Sequence, residues 1–189
     1  MIKVIKLVYW WIRKRLEEIL FCLNNYVIPS IPFWPLRKCL YKIQGMEIGK
    51  GSRILMKTRI VNPKGISIGE YTFINECCFL DGRSGIEIGS NTTVAIYTKL
   101  ITGGHDIDDE SFAYSGGKIK IGDHVAIFAS SIVLGNVIIE DGCVFAAGSV
   151  VVKGQYKKLG VYAGNPAVLK RIRKCTLEYS QGFWHPIFR

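Results

Sequence analysis

The six cysteines (Cys22, Cys39, Cys77, Cys78, Cys143 and Cys175) form no CxxC pair and no regular framework. That excludes a zinc ribbon and a small disulfide scaffold, and the thiols read as reduced, in a reducing compartment. Long apolar runs are missing as well: nothing approaches the ~20 residues of a transmembrane helix. The opening MIKVIKLVYWWIRKRLEEIL is a poor signal peptide, because Lys3 and Lys6 interrupt its apolar run and Arg13 to Arg15 end it before any small-residue cleavage site. A cytoplasmic protein is expected. Acidic residues are scarce at both ends: residues 1–44 carry eight Lys/Arg against two acids and residues 153–189 eight against one, while the centre carries nine against twelve. A +10 chain of this kind suits an anionic membrane surface or a phosphorylated ligand. Nucleic acid is not expected, since the middle of the chain has no finger spacing, RNA-binding motif or helix-turn-helix pattern.

What the sequence does have is a repeat. Aliphatic residues recur every six positions at Ile48, Ile54 and Ile60, then at Ile68, Ile74, Leu80 and Ile86, then at Ile88, Val94 and Leu100. After a break they resume at Ile121, Ile127, Val133, Ile139, Phe145 and Val151. Six is neither the helical 3.6 nor a simple alternation, so a bundle and a sandwich are both excluded. Three six-residue strands per turn of a triangular prism would send each sixth residue inward at the same place, and stacked turns would then share one apolar column. Gly49, Gly69, Gly89 and Gly122 follow the inward Ile where the chain must bend in a crowded stack.

The intervals between the coil starts Ile48, Ile68, Ile88, Ile121 and Ile139 are twenty, twenty, thirty-three and eighteen. Eighteen is three hexapeptides; twenty adds a two-residue bulge at Lys64–Gly65 and at Ser84–Gly85. Thirty-three leaves about thirteen residues that must leave the prism, in 102–118, TGGHDIDDESFAYSGGK. Loops on a rigid scaffold are where chemistry concentrates. The ends of the stack need covers. Val4, Leu7, Val8, Trp11, Ile12, Leu16, Ile19 and Leu20 fall at helical spacing until Pro29, Pro32 and Pro35, which predicts a largely helical N-terminal cap over 1–44; its Tyr9, Trp10 and Trp11 beside basic residues would also suit a membrane surface. Asn165 as N-cap and Pro166 as first helical residue predict a closing basic helix, AVLKRIRKC, and a tail over 167–189.

The block IKIGDHVAIFASSIVLGNVIIEDGCVFAAGSVVVKG, followed by VYAGNPAVLKRIRK, resembles the hexapeptide-repeat O-acetyltransferases, the group of galactoside and maltose acetyltransferases and of the acetyltransferases of polysaccharide and capsule biosynthesis. The likeness runs from about Ile48 to Lys174 and is closer to the polysaccharide group, whose loop reads His-Asp where this chain has GGHDI. The resemblance implies an all-β solenoid, a left-handed parallel β-helix over 45–166, whose hand departs from the usual right-handed crossover. It implies a homotrimer with acetyl-CoA between two prisms, no required metal, and transfer of acetyl to a saccharide hydroxyl with the loop His105 as general base. A hydroxyl is a poor nucleophile at neutral pH, and an imidazole in hydrogen-bond reach can take its proton.

By the same resemblance Asn75 and Asp81 fall where the galactoside and maltose enzymes bind the acceptor sugar, and Asp106 follows the base. Asn75 could equally belong to an inner asparagine ladder, and Asp81 could be a turn former before Gly82. Ala129, Ala147 and Gly148 are small positions beside which the pantetheine arm would lie, with Ser149 nearby; Lys153 and Arg171 would meet the phosphates of CoA. Two departures stand out: Ala126–Ile127 replaces the Trp-Ile of many relatives, and Lys153–Gly154–Gln155–Tyr156 replaces Lys-Asp-Ile-Pro. His124 reads as a solvated turn residue and His185 as a surface residue. A zinc site joining His105 and His124 on adjacent coils lacks a third histidine in the region. An N-acetyltransferase acting on an amino sugar or other small amine and a non-catalytic or metal-binding solenoid are the alternative functions.

Overall fold

The computed structural model describes residues 2–181 together with 187 and 188, and side chains from Lys6 onward; His185 lies outside the described residues. From Glu47 the chain winds as a parallel β-solenoid with three faces. The first face stacks Glu47–Ile48, Ile66–Ile68, Ile86–Ile88, Ile119–Ile121, Val137–Ile139 and Gly154–Tyr156. The second stacks Arg53–Ile54, Phe73–Ile74, Thr93–Val94, Ala126–Ile127, Val144–Phe145 and Gly160–Ala163. The third stacks Arg59–Val61, Phe79–Asp81, Lys99–Ile101, Ile132–Leu134 and Val150–Val151. Register is set by the hexapeptide: Ile54 pairs with Ile74, Ile74 with Val94 and Ile127 with Phe145, so the inward residues form one column. Every residue of the sixfold series is buried, from Ile48 through Val151.

A second inward set is small and hydroxylic. Ser52, Thr72 and Thr92 line one corner and Thr58, Thr98, Ser131 and Ser149 another, all fully or nearly fully buried. Their hydroxyls donate to backbone carbonyls, Thr72 to Gly89 at 2.7 Å and Thr58 to Asn75 at 2.7 Å. The corner thus satisfies carbonyls that the short strands leave unpaired. The glycine after each inward Ile is required for space: a Cβ on Gly69 would stand 2.7 Å from the backbone of Gly89 in the next coil.

Two terminal expectations are corrected. The N-terminal helix Ile2–Cys22 does not cap the prism: its side chains from Lys6 to Cys22 are all exposed. The cover is made by the segment after it, where Ile28, Trp34, Arg37 and Tyr41 are buried and Arg37 donates to the Ile54 carbonyl at 3.0 Å. The apolar periodicity of the first helix is real, but none of the described residues buries it.

The closing helix is also absent. Val168–Ile172 is a strand, antiparallel to Gly160–Ala163, after a turn at Gly164. The final parallel strand would otherwise end the second face with unpaired N–H and C=O groups, and that edge outweighs the helical pattern of AVLKRIRKC. Beyond it the tail runs back along the corner between the first and second faces. Arg173 donates to the carbonyls of His124 (3.2 Å) and Gly142 (3.4 Å), Gln181 bonds Asn91, and Ile187 accepts from the Trp34 amide at 2.9 Å.

Candidate functional site

The excess residues leave the prism at the corner between the third and first faces and fold into a hairpin. Gly103–His105 pairs antiparallel with Tyr114–Gly116 in the register Gly103↔Gly116 and His105↔Tyr114. The paired glycines make room at its base. A Cβ on Gly103 would meet Arg83 Nη2 at 2.7 Å and Tyr114 Oη at 2.9 Å; one on Gly116 would meet the same phenol at 2.8 Å.

His105 is exposed but held. Its Nδ1 is 2.8 Å from the Phe112 carbonyl oxygen, its ring stacks on Phe112 at 4.5 Å, and the Tyr114 ring meets it edge-on at 6.2 Å. A carbonyl can only accept, so Nδ1 carries the proton and Nε2 of the neutral ring keeps its lone pair free. That arrangement can take a proton from a hydroxyl brought to Nε2. Burial pushes the thiols of Cys78 and Cys143 up to about 12 and about 11, so neither inner cysteine competes as a nucleophile.

Asp81 lies directly beneath the hairpin. It is fully buried, and its Oδ1 and Oδ2 receive Arg83 Nε (2.8 Å) and Nη2 (2.9 Å) side by side, while the amides of Arg83 and Gly103 donate at 3.2 Å each. Burial alone would raise its pKa; the Arg83 guanidinium and these amides outweigh that and hold the carboxyl below its ordinary 3.8. The carboxylate therefore has no oxygen free for a sugar, and it anchors Arg83 and the hairpin base instead. Because the folded pKa is depressed, this contribution to stability is present above pH 3.8 and is lost as pH falls through the folded value. In thermal melts between about pH 6 and pH 2.5, the wild type should lose Tm on acidification more steeply than Asp81→Asn. Parallel curves would refute the assignment.

Arg83 went unnoticed in the sequence, where nothing distinguishes it from a surface arginine. Its guanidinium lies 5.7 Å from the Tyr114 ring centre, and the Tyr114 hydroxyl is 3.0 Å from Ser84 Oγ. Asp106, at the hairpin turn, is exposed and accepts the Asp108 amide at 3.0 Å through Oδ1. Asp109 is turned onto Ser111 and the Ala113 amide.

The remaining positions separate onto two edges. Lys153 is exposed at the same third-to-first corner as the hairpin; the turn at Asn136 intervenes, and the Gly154 amide reaches its carbonyl at 3.1 Å. Asn75, Ala129, Ala147 and Gly148 line the second-to-third corner, with the Gly148 amide bonded to the Ala129 carbonyl at 2.9 Å. A Cβ on Gly148 would meet nothing within 4 Å, so this edge offers open backbone flanked by alanines. Ser149 leaves the set, since its buried hydroxyl donates to the Ala146 carbonyl at 2.6 Å inside the corner. Arg171 is exposed on the terminal strand. His124 is not a solvated turn residue: it is half-buried at the first-to-second corner, its Nε2 3.0 Å from the Tyr179 carbonyl and its ring edge-on to Tyr179. His105 and His124 thus stand on different edges, which removes the shared zinc site. Among the described residues no group of three His, Cys, Asp or Glu could hold a metal.

Comparison with known proteins agrees with this fold. The bacterial transferase hexapeptide (six repeats) family matches residues 118–153; such hexapeptide coils fit a left-handed β-helix. A putative colanic acid biosynthesis acetyltransferase, WcaF of Escherichia coli (strain K12), is 28% identical over 169 residues, 89% of this chain and 88% of that protein. A hexapeptide-repeat acetyltransferase from Vibrio cholerae, solved with acetyl coenzyme A, superposes with a TM-score of 0.70 at 26% identity, covering 86% of this chain and 85% of that one. AntD of Bacillus cereus, an N-acyltransferase solved with dTDP and 3-hydroxybutyryl-CoA, superposes with a TM-score of 0.63 at 25% identity, covering 77% and 92%.

Proposed function

The chain belongs to the hexapeptide-repeat acetyltransferases, and from that premise we propose that it transfers acetyl from acetyl-CoA to a saccharide hydroxyl in surface polysaccharide biosynthesis, with His105 as general base. The observation that carries this reading is the Nδ1 bond to the Phe112 carbonyl, which leaves Nε2 as a fixed acceptor at the tip of a rigid scaffold. Acetyl-CoA supplies an activated acyl group. His105 removes the proton of the attacking hydroxyl and returns it to the departing thiolate, so that one ester forms as one thioester breaks. Ala129, Ala147 and Gly148 line the thioester arm, Lys153 and Arg171 meet its phosphates, and Asn75 faces the acceptor.

The hairpin corner and the small-residue corner are separated by a whole face of the prism, and a three-residue strand spans roughly 10 Å. A site that uses both is best built between two copies, the hairpin of one against the open edge of the next, which is why a homotrimer belongs to this reading. The reaction is tested by thiol release from acetyl-CoA with a panel of mono- and oligosaccharides: an alkali-labile ester is expected. An amide product on an amino sugar would favour the N-acyl transfer that the likeness to AntD keeps open. No acceptor-dependent release would overturn both.

The exposed first helix supports a membrane-surface location for the enzyme. No described helix is long and apolar enough to cross a membrane, yet Leu7, Val8, Trp11, Ile12, Leu16 and Ile19 are all exposed along it. Residues 2–22 hold five basic side chains against two acids, and both acids are paired within the helix, Glu17 with Arg13 and Lys14 and Glu18 with Arg15. Trp10 and Trp11 lie under Lys14 and Arg15. Such a helix lies in the headgroup region of an anionic bilayer on the cytoplasmic side, each basic residue contributing about 1 kcal/mol. Vesicles containing phosphatidylglycerol should retain the protein at low salt and release it at about 0.5 M salt. Failure to bind at low salt would refute the membrane contact, and helix-dependent self-association would assign the stripe to a second copy.

A further inference from the structure

Arg83 has more donors than its partner uses. A guanidinium carries five N–H groups in a fixed fork, and Asp81 takes one from Nε and one from Nη2. The other three point away from the carboxylate, and the side chain remains 52% exposed.

The position of this face matters. Tyr114 neighbours both Arg83 and His105, its ring centre 5.7 Å from the guanidinium carbon and 6.2 Å from the imidazole centre, so the two groups share a single phenol. Sharing that phenol keeps the guanidinium within about 12 Å of the imidazole, so in this reading a saccharide whose hydroxyl approaches His105 Nε2 presents a substituent toward Arg83. Of the loop's four acids, Asp106, Asp108, Asp109 and Glu110, two are engaged by its own backbone. Asp106 and Asp109 occupy the hairpin turn, where they bond loop amides, whereas Arg83 is at the base beside Gly103.

We propose that Arg83, oriented by the buried Asp81, binds an oxyanion on the acceptor, so that the enzyme prefers acidic saccharides. This rests on the acetyltransferase reading above and deepens it. A carboxylate at this position would offer acceptors to neutral hydroxyls; here that carboxylate is consumed, and the surface presents a bidentate cation in its place. The oxyanion is a uronate carboxylate or a sugar phosphate, both of which match the guanidinium fork.

The experiment compares glucose with glucuronate, galactose with galacturonate, and each hexose with its 1-phosphate, in turnover with acetyl-CoA and in calorimetric binding to the CoA-loaded protein. Expected is a ten- to hundredfold advantage of the acidic member in kcat/KM or affinity, about what one or two charge-assisted hydrogen bonds supply. The uronate and phosphate arms show which anion is used. Arg83→Gln should erase the ratio of acidic to neutral acceptor and Arg83→Lys should keep part of it. Because Arg83→Gln strands a buried carboxylate, the Asp81→Asn/Arg83→Gln pair serves as the folded companion. Neutral sugars acetylated as well as acidic ones would overturn the proposal and leave the acetyltransferase reading standing. Absence of turnover with retained, Arg83-dependent binding of the anions would support the proposal and count against that reading; absence of both turnover and anion binding overturns the two together.

Discussion

His105→Ala should lower kcat by about 10²–10⁴-fold, the usual loss of a positioned general base, with Tm unchanged to within a few degrees. The side chain is exposed and makes one hydrogen bond, to a loop carbonyl, so its removal costs the fold little. The loss should sit in kcat, because the imidazole acts on the proton in flight and contributes little to holding the acceptor. His105→Gln gives a sharper control: the amide can still donate to the Phe112 carbonyl and fill the stack on Phe112, but it offers no base. Equal losses in the two variants would show that the lone pair at Nε2 is what matters. Retention of a tenth or more of wild-type kcat in His105→Ala would place the base elsewhere.

The solenoid was legible because a sixfold column leaves one physical solution: all its members are buried, and the loop implied by the long interval between Ile88 and Ile121 is where the chain leaves the prism. The terminal elements were less legible. AVLKRIRKC reads as a helix on its own, and only the open edge at Gly160–Ala163 makes it a strand. Helical spacing in the opening segment revealed an apolar stripe without revealing that the stripe would stay exposed. The hydroxyl set escaped notice for a related reason: Ser and Thr at corners look like surface residues until stacking brings a carbonyl within reach.

At the site, His105 was visible because it is the histidine in the extruded loop, but its neighbours were not. Arg83 and Tyr114 are distant in sequence and meet only because one coil stacks on the next. Asp81 could be placed from the motif, while its role could not: two residues on, Arg83 converts a potential sugar ligand into an anchor. The separation of Lys153 from Gly148 onto different edges is likewise a property of the coil geometry, and it makes a second copy part of the proposed site.

Phe145→Ala should destabilise the fold by about 3–5 kcal/mol, lowering Tm by roughly 6–20 °C for a chain of this size at fixed protein concentration. Phe145 is the one aromatic residue in the sixfold column. It fills the last full coil, with Tyr156 and Tyr162 each 5.3 Å away, and those rings are 4.9 Å from each other. The cluster closes the C-terminal end of the apolar column: the Tyr156 hydroxyl bonds Val152, and the Tyr162 hydroxyl receives the Lys157 amide at 2.8 Å. Truncation removes the shared partner, and the two tyrosines cannot collapse into the gap without giving up those bonds. Phe145→Leu, which keeps most of the volume, should cost less than about 1.5 kcal/mol. Ala146, Ala147 and Gly148 follow directly, so the same truncation loosens the edge assigned to acetyl-CoA and should raise its KM well below the melting range. His105→Ala loses turnover and keeps Tm, whereas Phe145→Ala loses Tm and cosubstrate affinity while keeping the base. If Phe145→Ala melted with the wild type, the stacked column would not be what holds the upper coils together.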